Sequence, residues 1–553
     1  MGSEMCIRDR LWSPESPTLY DLEVTVMKGR HRVLDTVDSY FGMRSIEVGP
    51  GADGRNRIML NGEVYFNNST LDQGFWPDGL NTAPTDEGLA FDLELHKRLG
   101  FNTVRKHIKV EPDRWYYHAD TLGLLVWQDM PAMKTERPPV SAQQQYEAEL
   151  DQMIEEKDSW TSIVAWVPFN EGWGEWSREA TGRIADEVKA ADPSRLVNAH
   201  SGVNCCNSLG DSGRGDMIDH HQYVGPAYTA HPDATRVAVD GEHGGLGLRT
   251  PGHEWFTDGK SFAYEMTDSK ADLTRRYVEV ASDLKDLANS CALSGSVYTQ
   301  VTDVEAEVNG FITYDRQVEK MDFAAVKAIN EEVTASADGD GEWTAPGPGT
   351  PGTAGVHAYP FDEGSGTVAT DSVGDADATL TNVGWTAGVD GTAGRFTGNS
   401  VADTNAQLID TQGSYSVSAW AKLDEAGGAF QTVVSQDTGS ASAFFLQYSG
   451  ADQRWAMSFV GNRALSTMKP VVGQWYHLTG VRDAAAGTLT LYVDGQQQGQ
   501  VSVCGQPDGS GDTVIGRGQY NGAQVDFLRG AIDGVRVFDR ALTAAEVGEL
   551  ARR

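Results

Sequence analysis

Apolar residues between positions 50 and 335 fall into short extended runs that alternate with segments of helical spacing. The extended runs are EVYFNN, NTVRKH, LLVWQDMP, SIVAWVPFNE, RLVNAHSG, MIDHHQY, RVAVDGEHGG and GSVYTQVTD. Amphipathic segments lie between them: EGLAFDLELHKRLG, PDRWYYHADTLG, QQQYEAELDQMIEEKDS, SREATGRIADEVKAAD and KADLTRRYVEVASDLKDLANS. Nearly unbroken apolar strands such as Ile163 to Phe169 are those of a sheet covered on both faces, and strand–helix alternation supplies parallel crossovers. Eight such strands predict a closed (β/α)8 barrel over residues 50–335. The flanks read differently. Residues 11–49 alternate polar and apolar, as the last strands of a β-sandwich do. Residues 336–355 are a Gly/Pro/Thr linker. Residues 356–553 contain short strands divided by Gly, Asp and Asn turns, which predicts a second β-sandwich. The expected fold class is therefore multidomain, with a barrel between sandwich segments.

Composition narrows the choice of partners. The 553 residues carry a formal net charge of −35. Such a balance excludes a nucleic-acid reader, which needs a basic face. No apolar run is long enough to span a membrane. The five cysteines, Cys6, Cys205, Cys206, Cys291 and Cys504, show no CxxC spacing, so no zinc motif is read, and Cys205 and Cys206 read as ordinary loop residues. The opening MGSEMCIRDR has no apolar leader region. MCIRDR resembles a translated sequencing adapter, so residues 1–10 are set aside as non-native and the chain is expected to be an N-terminally truncated fragment.

Two carboxylates stand out. SIVAWVPFNEGWGEW delivers Glu171 to the end of the fourth strand, and RVAVDGEHGG delivers Glu242 to the end of the seventh. Barrel sites form at the carboxyl ends of the strands. A pair there suits glycoside hydrolysis, in which one carboxyl protonates the leaving oxygen and the other attacks the anomeric carbon.

FNEGWG, GEHGG, LNGEVYF and the lead-in LWSPESPTLYDLEVTV…VDSYFGMRSIEV resemble glycoside hydrolase family 2, the family of β-galactosidases, β-glucuronidases and β-mannosidases. The resemblance covers residues 11–335. It implies that residues 11–49 end an immunoglobulin-like domain. It further implies a retaining exo-β-glycosidase with Glu171 as acid/base and Glu242 as nucleophile. Asn170 would bind the sugar 2-hydroxyl, and Arg105 and Tyr223 would hold the nucleophile ionised. The strand-one region FNNSTLDQGFWPDG and the strand-eight region YTQVTDVEAEVNG depart from the family's usual signatures, which leaves the sugar open. Further substrate contacts are expected from His107, Asp129, Trp173, His200, His221 and Gln300 at strand ends. Asp303, Glu305 and Glu307 read as a solvated acidic loop.

AYPFDEGSG, YSVSAWAKL, GQWYHLTGVRD and GAIDGVRVFDRALTAAEV resemble a laminin-G-like, concanavalin-A-like module, which implies glycan binding. Asp362 and Asp533 are its candidate calcium ligands, and catalysis itself is expected to need no cofactor. The expected partner is an oligo- or polysaccharide, and the expected location is extracellular or periplasmic. The alternatives are an endo-acting glycanase of the same clan and a non-catalytic glycan-binding or adhesion protein.

Overall fold

The computed structural model describes residues 10–133, 135, 138–226, 231–256, 259–336 and 356–552. They divide between two units, Met1–Trp343 and Thr344–Arg553. Apart from Ser336, the expected linker at 336–355 lies outside the described residues.

Eight parallel strands build the first unit: β1 (Asn67–Asp72), β2 (Thr103–Lys106), β3 (Leu125–Asp129), β4 (Ile163–Val167), β5 (Leu196–Val197), β6 (Met217–Tyr223), β7 (Val237–Gly244) and β8 (Leu293–Thr299). They pair in the order β5-β4-β3-β2-β1-β8-β7-β6. The two ends of the sheet then meet, because Asp216 N donates to Val197 O at 2.7 Å and Val203 N donates to Asp219 O at 3.0 Å. The result is a nearly closed barrel. Every residue of the strands other than β6 is buried, as parallel strands covered on both faces must be.

Six helices cover this sheet among the described residues: α1 (Asp86–Arg98), α2 (Asp113–Leu122), α3 (Val140–Lys157), α4 (Arg178–Ala191), α5 (Lys270–Ser290) and α6 (Phe323–Ala335). Thr85, Ser177, Ser269 and Asp322 start α1, α4, α5 and α6 by accepting backbone N–H groups that would otherwise be unpaired. Gly123 closes α2 in the left-handed region at φ 72°.

Two elements differ from expectation. The first strand starts at Asn67 rather than Glu63, because Glu63–Val64 folds back on Asn56–Leu60. Helix α6 was not among the expected segments, although Val326, Ile329, Asn330 and Val333 line its buried face at helical spacing.

The chain before β1 closes the barrel floor. Leu19–Lys28 and Arg32–Gly42 form an antiparallel ribbon that leaves Leu22, Val24, Val26, Val33 and Val37 exposed. Ile46–Pro50 then pairs with Asn56–Leu60. Arg55 and Arg57 donate to Ser290 O and Ala288 O, and Asn56 donates to Asp233 O, all just upstream of β7 and β8. Trp12, Ile46, Ile58 and Leu60 therefore pack against Leu71, Trp127, Val239 and Val297 from the end opposite the strands' carboxyl termini.

The second unit is a sandwich of two antiparallel sheets of eight strands each. Phe361, Phe396, Val417, Phe444, Trp455, Leu489 and Ile532 belong to the core between them. Asp362 and Asp533 both meet the turn around residues 388–392. Asp362 accepts from Thr392 N at 3.0 Å, and Asp533 accepts from Val389 N at 2.7 Å. Two carboxylates that already cap a turn supply few of the roughly six to eight oxygens that calcium takes.

Trp12 is fully buried, and its Nε1 donates to Asp120 O at 2.8 Å. Trp12→Ala is expected to destabilise the first unit by about 3–5 kcal/mol, through the cavity and the lost bond. A urea titration following that unit's transition would measure the loss, and an unchanged midpoint would show that the floor contributes nothing.

Candidate active site

Glu171 and Glu242 emerge at the same end of the barrel. β4 ends at Val167, and the chain runs through Asn170 before Glu171 turns into the left-handed region at φ 52°. That conformation is uncommon for a non-glycine residue and stores strain of order 1 kcal/mol or more. Gly172 continues it at φ 75°, where a Cβ would collide with the Asn207 carbonyl, so glycine is required. Glu242 lies within β7 itself, beside Gly241, whose missing Cβ makes room for the Asp219 carboxylate.

Arg105, fully buried at the end of β2, organises the Glu242 side. Its Nε and Nη2 donate to both Asp129 oxygens at 3.1 and 2.9 Å. Nη2 also donates to Asn170 Oδ1 at 2.7 Å, and Nη1 donates to Gly241 O at 3.0 Å and Glu242 Oε1 at 3.2 Å. Tyr223 donates from its hydroxyl to Glu242 Oε2 at 2.7 Å. Its ring stacks flat on Tyr264, with centroids 3.6 Å apart.

His221 bridges the two carboxylates. Its Nδ1 lies 2.9 Å from Glu171 Oε1 and 3.7 Å from Glu242 Oε2. Its Nε2 lies 2.7 Å from Ser201 Oγ, and that hydroxyl donates its single proton to Asp219 Oδ2 at 2.8 Å. Ser201 therefore accepts from Nε2–H, which leaves Nδ1 to share one proton with Glu171.

The charges follow from this sharing. Burial alone would raise the Glu171 carboxyl, but the hydrogen bond and charge of His221, with bonds from the Cys206 and Cys205 thiols, bring it down to about 2. Burial would lower His221, but Glu242, Glu171 and Asp219 raise it to about 9. Burial and the Glu171 charge raise Glu242 to about 7, against His221, Arg105 and Tyr223. The directions of these two shifts place the shared proton on His221. A protonated Glu171, the expectation for the acid, requires that proton to cross the 2.9 Å bond.

The other expected contacts separate into two groups. His107 keeps both ring nitrogens without a hydrogen-bond partner, and its Nε2 lies 3.6 Å from Glu242 Oε1. Asn170 Nδ2 is likewise buried and unpartnered. Trp173 sits half-buried with its ring 6.3 Å from that of His107. Buried polar atoms of this kind call for a partner. Asp129, in contrast, is taken up by Arg105 and by Ile108 N. His200 accepts from Gly172 N at 2.9 Å and faces Glu175, so it holds the Glu171 loop rather than a ligand. Gln300 is bound to Gln73, Glu307 and Asn309. Trp176, which the stacking expectation for Trp173 also covers as the next tryptophan of GWGEW, packs on Phe169 and Tyr146. In the expected acidic loop only Glu305 is exposed, since Asp303 pairs with Lys320 beneath it.

Ser201, Asp219, Asn204, Cys205 and Tyr264 went unanticipated. Asp219 was within reach of the sequence, because period-two alternation puts it on the same face of β6 as His221 and Tyr223. A hollow of about 350 Å3 beside the loops after β1 and β8, lined by Trp76, Phe91 and Arg316, includes neither Glu171 nor Glu242.

The sequence profile of glycosyl hydrolases family 2 matches residues 5–44, and that of the concanavalin A-like lectin/glucanases superfamily matches residues 396–548. A putative β-glucuronidase of Formosa agariphila is 27% identical over 203 residues, covering 35% of this chain and 18% of that protein. A β-galactosidase of Lactococcus lactis is 26% identical over 215 residues, covering 37% of this chain and 20% of that protein. The chain thus spans about a fifth of the length of these curated relatives. Among solved structures, the GH2 β-galacturonidase of Eisenbergiella tayi bound to galacturonate matches with a TM-score of 0.45 at 20% identity, over 59% of this chain and 60% of that one. The protein is family-2-like and carries a C-terminal concanavalin-A-like domain. No described helix is long and apolar enough to cross a membrane.

The Glu171–His221 bond predicts how stability depends on pH. The contribution of His221, whose pKa is raised, is complete below 6.5 and lost as pH climbs through about 9. That of Glu171, whose pKa is lowered, is complete above 4.5 and lost as pH falls through about 2. The stability of the protein over its His221→Gln variant should therefore be greatest between pH 4.5 and 6.5 and decline above that window. Thermal midpoints of both proteins across pH 4–10 would measure it, and a constant difference would contradict the shared proton.

Proposed function

We propose that the first unit is a retaining exo-β-glycosidase, with Glu242 as nucleophile and Glu171 as acid/base, and that its substrate is a terminal β-linked sugar of an oligo- or polysaccharide. The observation that carries this reading is the bridge: both carboxylates reach the same His221 nitrogen, at 2.9 and 3.7 Å. Glu171 Oε1 and Glu242 Oε2 cannot be farther apart than the sum of those distances. That span admits the about 5–5.5 Å of a retaining pair and excludes the wide end, about 9.5 Å, of an inverting one.

In the first half-reaction Glu242 attacks the anomeric carbon as the glycosidic C–O bond breaks. Glu171 gives its proton to the departing oxygen. His221 is the source of that proton, through the hydrogen bond it already makes. Arg105 and Tyr223 keep Glu242 oriented and favour its ionised form against the cost of burial. In the second half-reaction Glu171 accepts a proton from water as the oxygen of that water displaces Glu242 from the sugar. The unpartnered atoms of His107 and Asn170 provide hydrogen bonds for sugar hydroxyls, and the half-buried Trp173 offers a ring face to the sugar. The β-galactosidase and β-glucuronidase relatives support a β-glycoside substrate. The concanavalin-A-like unit supports a glycan-binding role for the C-terminal half.

The test is a panel of aryl β-glycosides: galactoside, glucoside, mannoside, glucuronide, galacturonide and xyloside. Glu242→Ala is expected to lower kcat at least ~10³-fold on the best of them. Near-wild-type turnover in that variant would remove Glu242 from the mechanism. Glu171→Ala should spare aryl glycosides with good leaving groups far more than natural glycosides, since only a poor leaving group needs the proton. An equal loss on both would contradict the acid role.

A further inference from the structure

The hydrolytic reading leaves two thiols beside Glu171 unused. Cys205 and Cys206 are both free, in the loop after β5. Cys205 Sγ lies 3.5 Å from Glu171 Oε1, the oxygen that also meets His221 Nδ1 at 2.9 Å. These three donor atoms all lie within 4.8 Å of one another. We propose that Glu171, Cys205 and His221 form a binding site for a thiophilic divalent cation of the zinc type. Resting on the reading of Glu171 as acid/base, the same site is an off-switch, because a cation held there takes the oxygen that must carry the proton.

Four features support the assignment. First, the donors are one thiolate, one imidazole and one carboxylate, the set that zinc-type ions take in preference to magnesium or calcium. Secondly, the spacing suits a tetrahedron. Bond lengths of about 2.0–2.3 Å place tetrahedral ligand atoms roughly 3.3–3.8 Å apart. The thiol–carboxylate distance already falls in that range. The Glu171–His221 distance is shorter because a proton now sits between them, and replacing that proton with a cation lets the pair open by a few tenths of an ångström.

Thirdly, His221 is held as metal-binding histidines are held. Its Nε2–H is fixed by Ser201, and Ser201 is fixed by Asp219, so Nδ1 is the nitrogen aimed at the other two donors. Asn204 adds two bonds to the His221 backbone, at 2.8 and 2.9 Å. Fourthly, the surroundings favour a cation. Asp219 and Glu242 lie 3.7 Å from the His221 ring nitrogens. Glu171 retains some exposure toward the mouth, which leaves a fourth position for water. Loading releases two protons to solvent: the thiol proton of Cys205 and the one shared by Glu171 and His221. Metal bonds to Sγ, Oε1 and Nδ1 take their place.

Cys206 makes the assignment testable. Its Sγ lies 2.8 Å from that of Cys205, yet it is the exposed member of the pair. Titration of the full chain with Co2+ is the experiment. Wild type should bind one equivalent, with thiolate-to-cobalt absorption in the near ultraviolet and the visible bands of four-coordinate cobalt. Zn2+ should displace both signals. Cys205→Ser should lose the thiolate band and bind at least ~10-fold more weakly, whereas Cys206→Ser should keep the band. Cys205→Ala serves as the second variant, with circular dichroism confirming the fold of each. A wild type without a thiolate band, or a band that survives in both Cys205 variants, would overturn the site.

On the best aryl glycoside, Zn2+ should suppress hydrolysis in step with its occupancy of the site that cobalt reports, and a chelator should restore it. Equal inhibition of wild type and Cys205→Ser would overturn the switch. The cobalt spectrum does not depend on turnover. If no glycoside is hydrolysed, it still decides the metal site. If hydrolysis depends on Glu171 and Glu242 but no thiolate band appears, only the metal site fails.

Discussion

The geometry of the barrel mouth depends on one guanidinium. Arg105 is fully buried, and each of its five N–H groups meets an acceptor: two on Asp129, one on Asn170, one on Gly241 and one on Glu242. Burying an ion in a protein costs several kcal/mol unless its donors and charge are matched, and here both are. The acceptors come from β3, β7 and the turn after β4. The same residue that neutralises the buried acids therefore ties three neighbouring regions of the mouth together. Glu242 cannot change its orientation without leaving an Arg105 proton unpaired, which fixes its position before any substrate arrives.

Glu171 is held in a different way. It sits in a strained turn beyond the end of its strand, and its partners come from the β5 loop and β6 rather than from Arg105. The Asp219–Ser201–His221 chain sets which nitrogen faces it, and one proton lies between the two. The mouth thus has a rigid half and a half whose charge can move. A nucleophile benefits from the first kind of holding, because it needs a fixed line of approach. A group that both gives and takes a proton benefits from the second. Two thiols sit on the movable half, which makes that half the more open to control by other ligands.

The floor of the barrel shows why residues outside the catalytic strands matter. Trp12 and the strands around Ile46 and Ile58 fill the end of the barrel that the eight strands leave open. The preceding ribbon remains a two-stranded element with apolar side chains in solvent. Among the described residues its two strands pair only with each other, so it contributes little core of its own.

The sequence alone determined the class of fold, because burial on both faces leaves its mark as apolar runs and helical spacing leaves its mark as amphipathic segments. It also determined that Glu171 and Glu242 share a mouth, since both stand toward the carboxyl ends of strands in a parallel barrel. Strand β6 was legible to the residue, and α5 likewise. Strand β1 was not, because Glu63–Val64 pairs as well with a nearby hairpin as with a barrel. Helix α6 is not among the expected elements either, because its apolar spacing comes after the last strand that the pattern requires. The roles of side chains at the mouth were decided only by tertiary structure. Nothing local distinguishes Asp129, which clamps an arginine, from a carboxylate free to bind sugar, or His200, which props a loop, from His107, whose nitrogens remain unpartnered. The proton's place on His221 was equally hidden, since it depends on distances of 2.9 and 3.7 Å between residues 50 and 21 positions apart in the chain. Periodicity records which face of an element is buried, whereas hydrogen bonding and charge depend on what the fold brings to that face.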